Sequence, residues 1–273
     1  MSLLDAVREA SLSALMCESL SDKLMLVQRL TDHMHDQGPP TEPATRVWHE
    51  PASLPGCPEK PQLLAHLDVP QLSIHTPRGL AGLLHSLCHI EFNAINLALD
   101  AVWRFPGMPA EYYVQWLRVA AEEAHHFSLL RAHLQSTGYD YGNFPAHTGL
   151  WDMVERTKGD IVARMALVPR TLEARGLDAT PPMQAKLRYV GSPAALKTVD
   201  ILDIILRDEV GHVAIGNHWY RWLCARDGLD PVVHFRELCI LHAAPRVRPP
   251  INQEARRMAG FTCDEIELLL SPA

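Results

Sequence analysis

Apolar residues recur along most of this chain at intervals of three and four, the spacing that predicts amphipathic α-helices. Patterns typical of strands are almost absent. Residues 2–16 and 21–37 form two short helical patterns, and Gly38 followed by Pro39-Pro40 should close the second. Four longer helical patterns follow. They exceed the about 11–12 residues of an average helix, as the helices of a four-helix bundle do.

Capping residues mark the ends of these long helices. Thr76-Pro77 and Ser192-Pro193 each place an N-cap residue before a proline at the first helical position. Pro169 should kink or bulge the third helix, because proline removes a backbone hydrogen bond. We predict helices over the following ranges: Pro77 to about Phe105, Pro109 to Gly138, Leu150 to Arg175 with a stop at Gly176 and Pro181-Pro182 and a short continuation near 183–190, and Pro193 to about Arg226 before Gly228.

Residues 39–77 hold nine of the chain's 21 prolines, which predicts an extended segment. One interpretation is a linker between domains. The favoured interpretation is a strap across the surface of the following bundle, because apolar residues in the segment should be buried. These residues are Trp48, Leu54, Leu63, Leu64 and Leu67.

Together these elements predict an all-α protein built on a four-helix bundle. We expect N-terminal helices and the proline-rich segment over residues 1–75, the bundle over 76–228, and a C-terminal extension over 229–273. The extension should contain a short helix from Thr262, whose Glu265 completes a capping box.

Composition narrows the classes of function. Hydrophobic residues make up 47% and charged residues 21% of the chain, as in an ordinary soluble protein. The net charge of −7 argues against a surface that coats nucleic acid. No apolar run approaches the about 20 residues that cross a membrane, and the N-terminal residues lack the features of a secretory signal. Six cysteines without regular spacing predict reduced thiols in a cytoplasmic protein.

The candidate chemistry lies in two Glu-x-x-His pairs, Glu123/His126 and Glu209/His212. At this spacing on a helix, the carboxylate and the imidazole share one face and lie one turn apart. Glu123 and His126 interrupt an apolar stripe in the second long helix. The neighbouring Glu122 and His125 belong to a more polar stripe, so we expect the first pair to point inward.

The first long helix adds a third inward carboxylate, because Glu91 also interrupts an apolar stripe. Gly107 lies sixteen residues from both Glu91 and Glu123, so a turn at Gly107 would place the two carboxylates at one height. Buried carboxylates need a nearby cation, and these stripes hold no basic residue except histidine. Metal ions are the favoured cations, and Glu–His⁺ pairs without metal are the alternative.

The second half of the chain shows the same equal spacing of two glutamates around a glycine. Gly191 lies eighteen residues from both Glu173 and Glu209. This symmetry selects Glu173 as the fourth carboxylate over Glu155 or Asp160. Two helical hairpins would then each supply one Glu and one Glu-x-x-His. The predicted metal ligands are Glu91, Glu123, His126, Glu173, Glu209 and His212.

The order Glu, Glu-x-x-His, Glu, Glu-x-x-His resembles the ligand pattern of the ferritin-like di-iron carboxylate superfamily. The chain is most similar to a bacterial family catalogued as domain of unknown function 455, and ferritin-like tRNA hydroxylases are a more distant likeness. The segments that carry the resemblance are His85–Glu91, Glu123–Phe127, Tyr141–His147 with Gly149–Trp151, Glu173–Asp178 and Asp208–His212. The resemblance implies a ferritin-like bundle and strengthens the choice of Glu173.

Such a site would hold two Fe ions, with Mn/Fe or Mn₂ as alternatives, because oxygen and imidazole ligands suit these metals better than zinc. Four carboxylates balance two divalent cations. Asp208, one turn before His212, could accept a hydrogen bond from a ligand histidine, or could simply solvate the helix. We expect His85 and His89 at the surface or the edge of the core. Three tyrosines are weak redox or pocket candidates: Tyr112, Tyr113 and Tyr220.

Four functions are compatible with this site. The favoured one is a non-haem oxidase or oxygenase that activates O₂ on an unknown small organic substrate, with an electron-donor protein as partner. The others are a ferroxidase or iron-storage protein, a manganese catalase-like enzyme, and a metal-stabilised scaffold without catalysis. The N-terminal and C-terminal additions could shape a substrate pocket or a homodimer contact, which favours the first function. A tRNA substrate is kept as an alternative because of the distant likeness.

Overall fold

The computed structural model describes residues 2–37, 42–149 and 151–270. The chain forms two compact units, Met1–Trp151 and Asp152–Ala273. It is mostly helical, which confirms the all-α prediction. The helix stop predicted at Gly38-Pro39-Pro40 and the helix start predicted at Leu150 lie outside the described residues. Within the described residues, no helix is both long and apolar enough to cross a lipid bilayer.

Unit 1 contains four helices and one short pair of parallel strands among its described residues. Its elements are α1 (Leu3–Met16), α2 (Leu20–Gln37), β1 (Leu63–Leu64), a 3₁₀ turn (His66–Asp68), α3 (Pro77–Arg104), α4 (Ala110–Ser136) and β2 (Ala146–His147). The N-cap prediction for α3 is confirmed, because Thr76 Oγ1 accepts a hydrogen bond from the Gly79 N–H at 3.0 Å. Helices α3 and α4 pack along each other and form most of the core of this unit.

Two buried cations fasten the N-terminal helices to α3. The Lys23 ammonium donates to the Gly56 carbonyl at 2.9 Å and to Asn96 Oδ1 at 2.5 Å. The Arg8 guanidinium donates to the Trp103 carbonyl at 2.7 Å and 3.1 Å. Each of these cations is 1% exposed, so the hydrogen bonds replace the water that burial removes. They hold α3, and with it Glu91, at a fixed position in unit 1.

The proline-rich segment is extended, as its composition predicts. It contacts other parts of unit 1, where the Ala44 carbonyl accepts from the Gly107 N–H at 2.8 Å and Glu50 pairs with Arg104 at 3.3 Å. The expected burial of its apolar residues is wrong in part. Leu67 is 93% and Leu63 43% exposed, because backbone pairing at the strand rather than apolar packing holds this part of the segment.

Unit 2 contains seven helices and one π-helical segment among its described residues. Its elements are α5 (Asp152–Thr157), α6 (Ile161–Leu167), the π-helical segment Val168–Glu173, α7 (Ala174–Val190), α8 (Pro193–Asp227), α9 (Pro231–Leu241), α10 (Gln253–Met258) and α11 (Cys263–Leu270). The predicted caps of α8 and α11 are confirmed. Ser192 Oγ accepts from the Ala195 N–H, and Glu265 and Thr262 form the reciprocal capping box.

The prediction for the third long helix is wrong at two places. A break after Thr157 separates α5 from α6, where Asp160 caps a new helix through the Val162 N–H at 2.8 Å. Helix α7 also continues through Pro181-Pro182 instead of stopping before them. Pro181 leaves the Leu177 carbonyl without its helical donor, and Asn252 Nδ2 donates to that carbonyl at 3.2 Å. This distant side chain replaces the hydrogen bond that the proline removes.

The predicted effect of Pro169 is confirmed, because the backbone around it forms the π-helical segment Val168–Glu173. Thr171 Oγ1 donates to the Ala166 carbonyl at 2.8 Å within this bulge. The segment packs against α8 at Gly216, where a Cβ atom would lie 2.5 Å from Pro169 Cβ. A larger residue at this contact would push the two elements apart, and the close approach fixes Pro169 at the start of the segment that ends in Glu173.

Candidate metal centre

Unit 1 brings three of the predicted ligands together. Glu91 on α3 is 4% exposed, and Glu123 and His126 on α4 are fully buried. His126 Nδ1 lies 3.3 Å from Glu123 Oε2 and 3.5 Å from Glu91 Oε2. Each of the three side chains offers a ligand atom within 4.8 Å of the others. This spacing allows all three to coordinate one ion, and the donor set of two carboxylates and an imidazole suits iron or manganese.

The electrostatics of this group show how strongly it attracts a cation. Burial lowers the pKa of His126, but hydrogen bonds and charges from Glu123 and Glu91 outweigh that effect and raise it to about 11. Without metal the imidazolium therefore serves as the cation between the two carboxylates. A metal ion would have to displace that proton, since only the neutral imidazole can be a ligand.

The choice of register on α4 is confirmed. The neighbouring Glu122 and His125 lie toward the surface, with His125 exposed, and Glu122 pairs with Arg118 at 2.8 Å. The apolar stripe therefore identified which of two adjacent Glu-x-x-His registers points inward. That Glu123 and His126 bind a metal ion remains a prediction.

Unit 2 holds the other three predicted ligands. His212 on α8 is fully buried, and its Nδ1 lies 3.8 Å from Glu209 Oε1 on the same helix. Glu173 ends the π-helical segment, which packs against α8, and it is partly buried. This unit therefore repeats the pattern of unit 1, with one Glu on one arm and a Glu-x-x-His on the next helix.

Asp208 has an observed partner on its own helix. Its two carboxylate oxygens accept from Arg207 Nε at 2.8 Å and from Arg207 Nη2 at 3.1 Å. This contact accounts for part of the hydrogen bonding of the carboxylate, and the two predicted roles of Asp208 stay open. Adjacent positions of α8 thus carry two largely buried carboxylates, with the Asp208 side chain 19% and the Glu209 side chain 12% exposed.

The expectation for His85 and His89 is wrong, because both are buried, at 0% and 6% exposed. His85 Nε2 accepts from the Gly142 N–H at 2.9 Å, and His89 Nδ1 lies 2.8 Å from the Tyr141 hydroxyl. His89 Nε2 lies 2.9 Å from the His147 carbonyl, which can only accept, so Nε2 carries the proton and Tyr141 donates to Nδ1. These histidines fasten the loop 137–147 to α3, and their partners lie more than fifty residues away in the sequence.

The three tyrosines that the sequence offered as redox or pocket residues form hydrogen bonds to the backbone. Each hydroxyl donates to a carbonyl: Tyr112 to Ala101 at 3.1 Å, Tyr113 to Phe105 at 2.8 Å and Tyr220 to Pro231 at 2.7 Å. The hydroxyls of buried tyrosines usually find such partners. Sequence reasoning missed Tyr141, which packs between α3 and α4 against Phe92 and Phe127, the residues that directly follow Glu91 and His126.

Protonation of His85 at low pH should weaken the attachment of the loop 137–147 to α3. Burial, and secondarily the charge of His89, lower the pKa of His85 to about 4, while Asp140 opposes the shift. An unfolded histidine titrates near ~6.5, so the unfolded chain takes up the proton first as the pH falls. The free energy of unfolding of the metal-free protein should be unaffected by His85 above pH ~6.5 and should fall by about 3 kcal/mol between pH ~6.5 and ~4.

The matched variant for this prediction is His85→Gln, whose side-chain oxygen can accept from the Gly142 N–H without titrating. Urea unfolding at pH 8 and at pH 4.5 should show a smaller loss of stability in the variant than in the wild type. An equal loss in the two proteins would mean that another group carries the acid sensitivity.

Comparison with known proteins places the chain in a family. Residues 16–267 match the family described as "Protein of unknown function (DUF455)". A protein of Haemophilus influenzae, described as uncharacterized, is 52% identical over 217 residues, covering 77% of this chain and 74% of the relative. No solved structure matches the chain. With a match over most of its length, the chain belongs to the DUF455 family.

Proposed function

We propose that the protein binds a pair of metal ions through Glu91, Glu123, His126, Glu173, Glu209 and His212, and that it is a non-haem di-iron oxidase or oxygenase acting on an organic substrate. The observation that carries this proposal is the buried group of Glu91, Glu123 and His126 in unit 1. The proposed fold is a ferritin-like four-helix bundle made of α3, α4, the arm from α6 to α7, and α8.

The balance of charge supports two ions rather than one. Four carboxylates match the charge of two divalent cations, so a loaded site would be close to neutral and tolerable in a core. Each half of the chain supplies one Glu and one Glu-x-x-His, which is the ligand arrangement of di-iron and di-manganese bundles. Oxygen and imidazole donors favour iron or manganese over structural zinc, which prefers sulfur.

The residues of the chain would position the metal ions, balance their charge and exclude water from the site. Bound iron would supply the one-electron redox chemistry. The burial of Glu91, Glu123 and His126 keeps bulk water from these donor atoms, which strengthens their attraction for a cation. The proposed additional participants are O₂, a small organic substrate and an electron-donor protein, with a homodimer and a tRNA substrate as further possibilities.

Aerobic loading with Fe(II) tests this proposal. The full-length protein, stripped with a chelator and titrated with Fe(II), should bind two ions per chain and consume O₂ in proportion to the iron oxidised. Metal content would be measured by inductively coupled plasma mass spectrometry, and O₂ by an electrode. The protein purified from its native host should contain the same two ions.

Each other outcome identifies a different function. Uptake of many ferric ions per chain would indicate iron storage. Rapid peroxide turnover by the Mn-loaded protein would indicate a catalase-like enzyme, and two bound ions without any O₂ consumption would indicate a scaffold. Binding of fewer than two ions per chain would overturn the proposed site itself.

A further inference from the structure

Arg170 is a buried cation three residues before the proposed ligand Glu173, in the same π-helical segment. Its side chain is 1% exposed. Its Nη2 lies 2.9 Å from Glu265 Oε1 on α11, and its Nη1 donates to Asn217 Oδ1 on α8 at 2.8 Å. The guanidinium also lies over three aromatic rings, those of Tyr220, Phe235 and Phe261, at 5.0, 4.6 and 4.8 Å from their centroids.

Glu265, the anion of this pair, is itself held in place. It is 2% exposed, and its Oε2 accepts from the Thr262 N–H and from Arg221 Nη2, each at 2.7 Å. Asn217 in turn donates to the Ala259 carbonyl at 2.7 Å. A buried carboxylate with three donors has little freedom to move, so the Arg170 side chain meets a rigid partner in the C-terminal segment.

The residues directly after Glu173 are tied to the same C-terminal segment by a second arginine. Arg256 on α10 donates to Asp178 Oδ2 at 2.6 Å and to the Ala174 carbonyl at 3.3 Å. Arg256 is 1% exposed. Its guanidinium therefore binds the first turn of α7, and Ala174 directly follows Glu173. An apolar cluster joins the same elements: Ala174, Leu177, Val213, Ala255, Ala259, Phe261 and Ile266.

We propose that the C-terminal helices α10 and α11 position the Glu173 carboxylate through two buried arginine contacts. On the N-terminal side of Glu173, Arg170 pairs with Glu265. On its C-terminal side, Arg256 binds Asp178 and the Ala174 carbonyl. Glu173 needs such support because Pro169 deprives its segment of one helical hydrogen bond. In this assignment Arg170, Glu265 and Arg256 are positioning residues. The inference rests on Glu173 being a metal ligand, as in the proposed function.

The test uses Glu265→Gln in the full-length protein, because glutamine keeps an acceptor for Thr262 but removes the charge that pairs with Arg170. Co(II) is the probe, measured by chelator competition and by its visible d–d absorption. The variant should bind Co(II) about 10–100-fold more weakly, as is typical when outer residues that orient a ligand are lost. Its d–d spectrum should also change, which a general loss of stability would not produce.

Two further variants separate positioning from stability. Arg164→Met removes a different buried arginine of unit 2, which donates to Thr157 Oγ1 and the Val154 carbonyl. It should lower the free energy of unfolding while leaving Co(II) affinity and the d–d spectrum unchanged. The double variant Arg170→Met/Glu265→Gln removes the buried cation together with the charge that balances it and keeps an acceptor for the Thr262 N–H, so it should regain part of the affinity that Glu265→Gln loses.

Amide hydrogen exchange provides a readout that needs no metal. Amides of residues 170–174 should exchange faster in metal-free Glu265→Gln than in the wild type, while those of α4 should not change. If wild-type protein fails to bind Co(II), the proposed function fails. If wild-type binding is normal, and Glu265→Gln alters neither the affinity, the spectrum nor the exchange of residues 170–174, the positioning role alone is refuted.

Discussion

Replacing Glu123 with glutamine should weaken the binding of Fe(II) or Co(II) by more than about 100-fold, because even the loss of an outer residue around a metal costs about 10–100-fold. Glutamine has almost the same shape as glutamate, so packing should be preserved at this fully buried position. The change removes one negative charge from a group in which Glu91 and Glu123 both lie close to His126. Chelator competition and metal analysis of the purified protein measure the effect.

The control for this prediction is Glu122→Gln, one residue earlier on the same helix. The Glu122 side chain pairs with Arg118, outside the buried group, so its loss should leave metal affinity within about twofold, in line with the small contribution of surface ion pairs. His126→Ala and His125→Ala form a second matched pair with the same expected contrast. Similar metal affinities for Glu122→Gln and Glu123→Gln would exclude Glu123 as a ligand.

Alanine at Gly216 should destabilise the protein by about 1–3 kcal/mol, the typical cost of overpacking a well-filled core. A Cβ atom at this position would lie 2.5 Å from Pro169 Cβ and 2.6 Å from Pro169 Cγ, which is closer than carbon atoms can approach. The proline ring cannot rotate away, so the π-helical segment would have to shift. Urea unfolding of the metal-free protein at neutral pH gives the change in the free energy of unfolding.

Gly211 offers a control in the same helix, five residues earlier. Apart from its chain neighbours and the nearby backbone of its own helix, no heavy atom of the described residues lies within 4 Å of the position that its Cβ would occupy. Alanine there should therefore stabilise the protein by about 0.5–1 kcal/mol, because alanine favours the helical backbone more than glycine does. Gly216→Ala should thus lower the free energy of unfolding, whereas Gly211→Ala in the same helix should raise it. Equal effects would show that the contact between Gly216 and Pro169 does not constrain the segment.

Local sequence rules predicted the helical elements well, because they depend on contacts within one or two helical turns. Thr76 and Ser192 cap their helices as expected, and Glu265 completes the predicted capping box. The 3.6-residue period was sufficient to place Glu123 inside and Glu122 toward the surface, since one residue rotates a helix by about 100°.

The break between α5 and α6 has a local cause, the Asp160 cap, but other predictions failed because they needed distant partners. Helix α7 passes through Pro181 because Asn252 donates to the carbonyl that the proline leaves unpaired. His85 and His89 are buried because the loop containing Tyr141 and Gly142 supplies their hydrogen-bond partners. Neither partner can be inferred from the spacing of nearby residues, since each contact joins parts of the chain that only tertiary folding brings together.

The sequence by itself determined the helical class and most helix ends, because capping and helical periodicity are local properties of the backbone. It also suggested the six side chains proposed as metal ligands, although the choice of Glu173 depended on the symmetry of the two hairpins and on the family resemblance. Tertiary structure alone decided which polar groups around them are buried and satisfied. It revealed the loop fastened by His85 and His89, and the C-terminal arginine contacts on both sides of Glu173. A buried charge is stable only where a specific partner lies within hydrogen-bonding distance, and the folded chain rather than the local pattern places that partner.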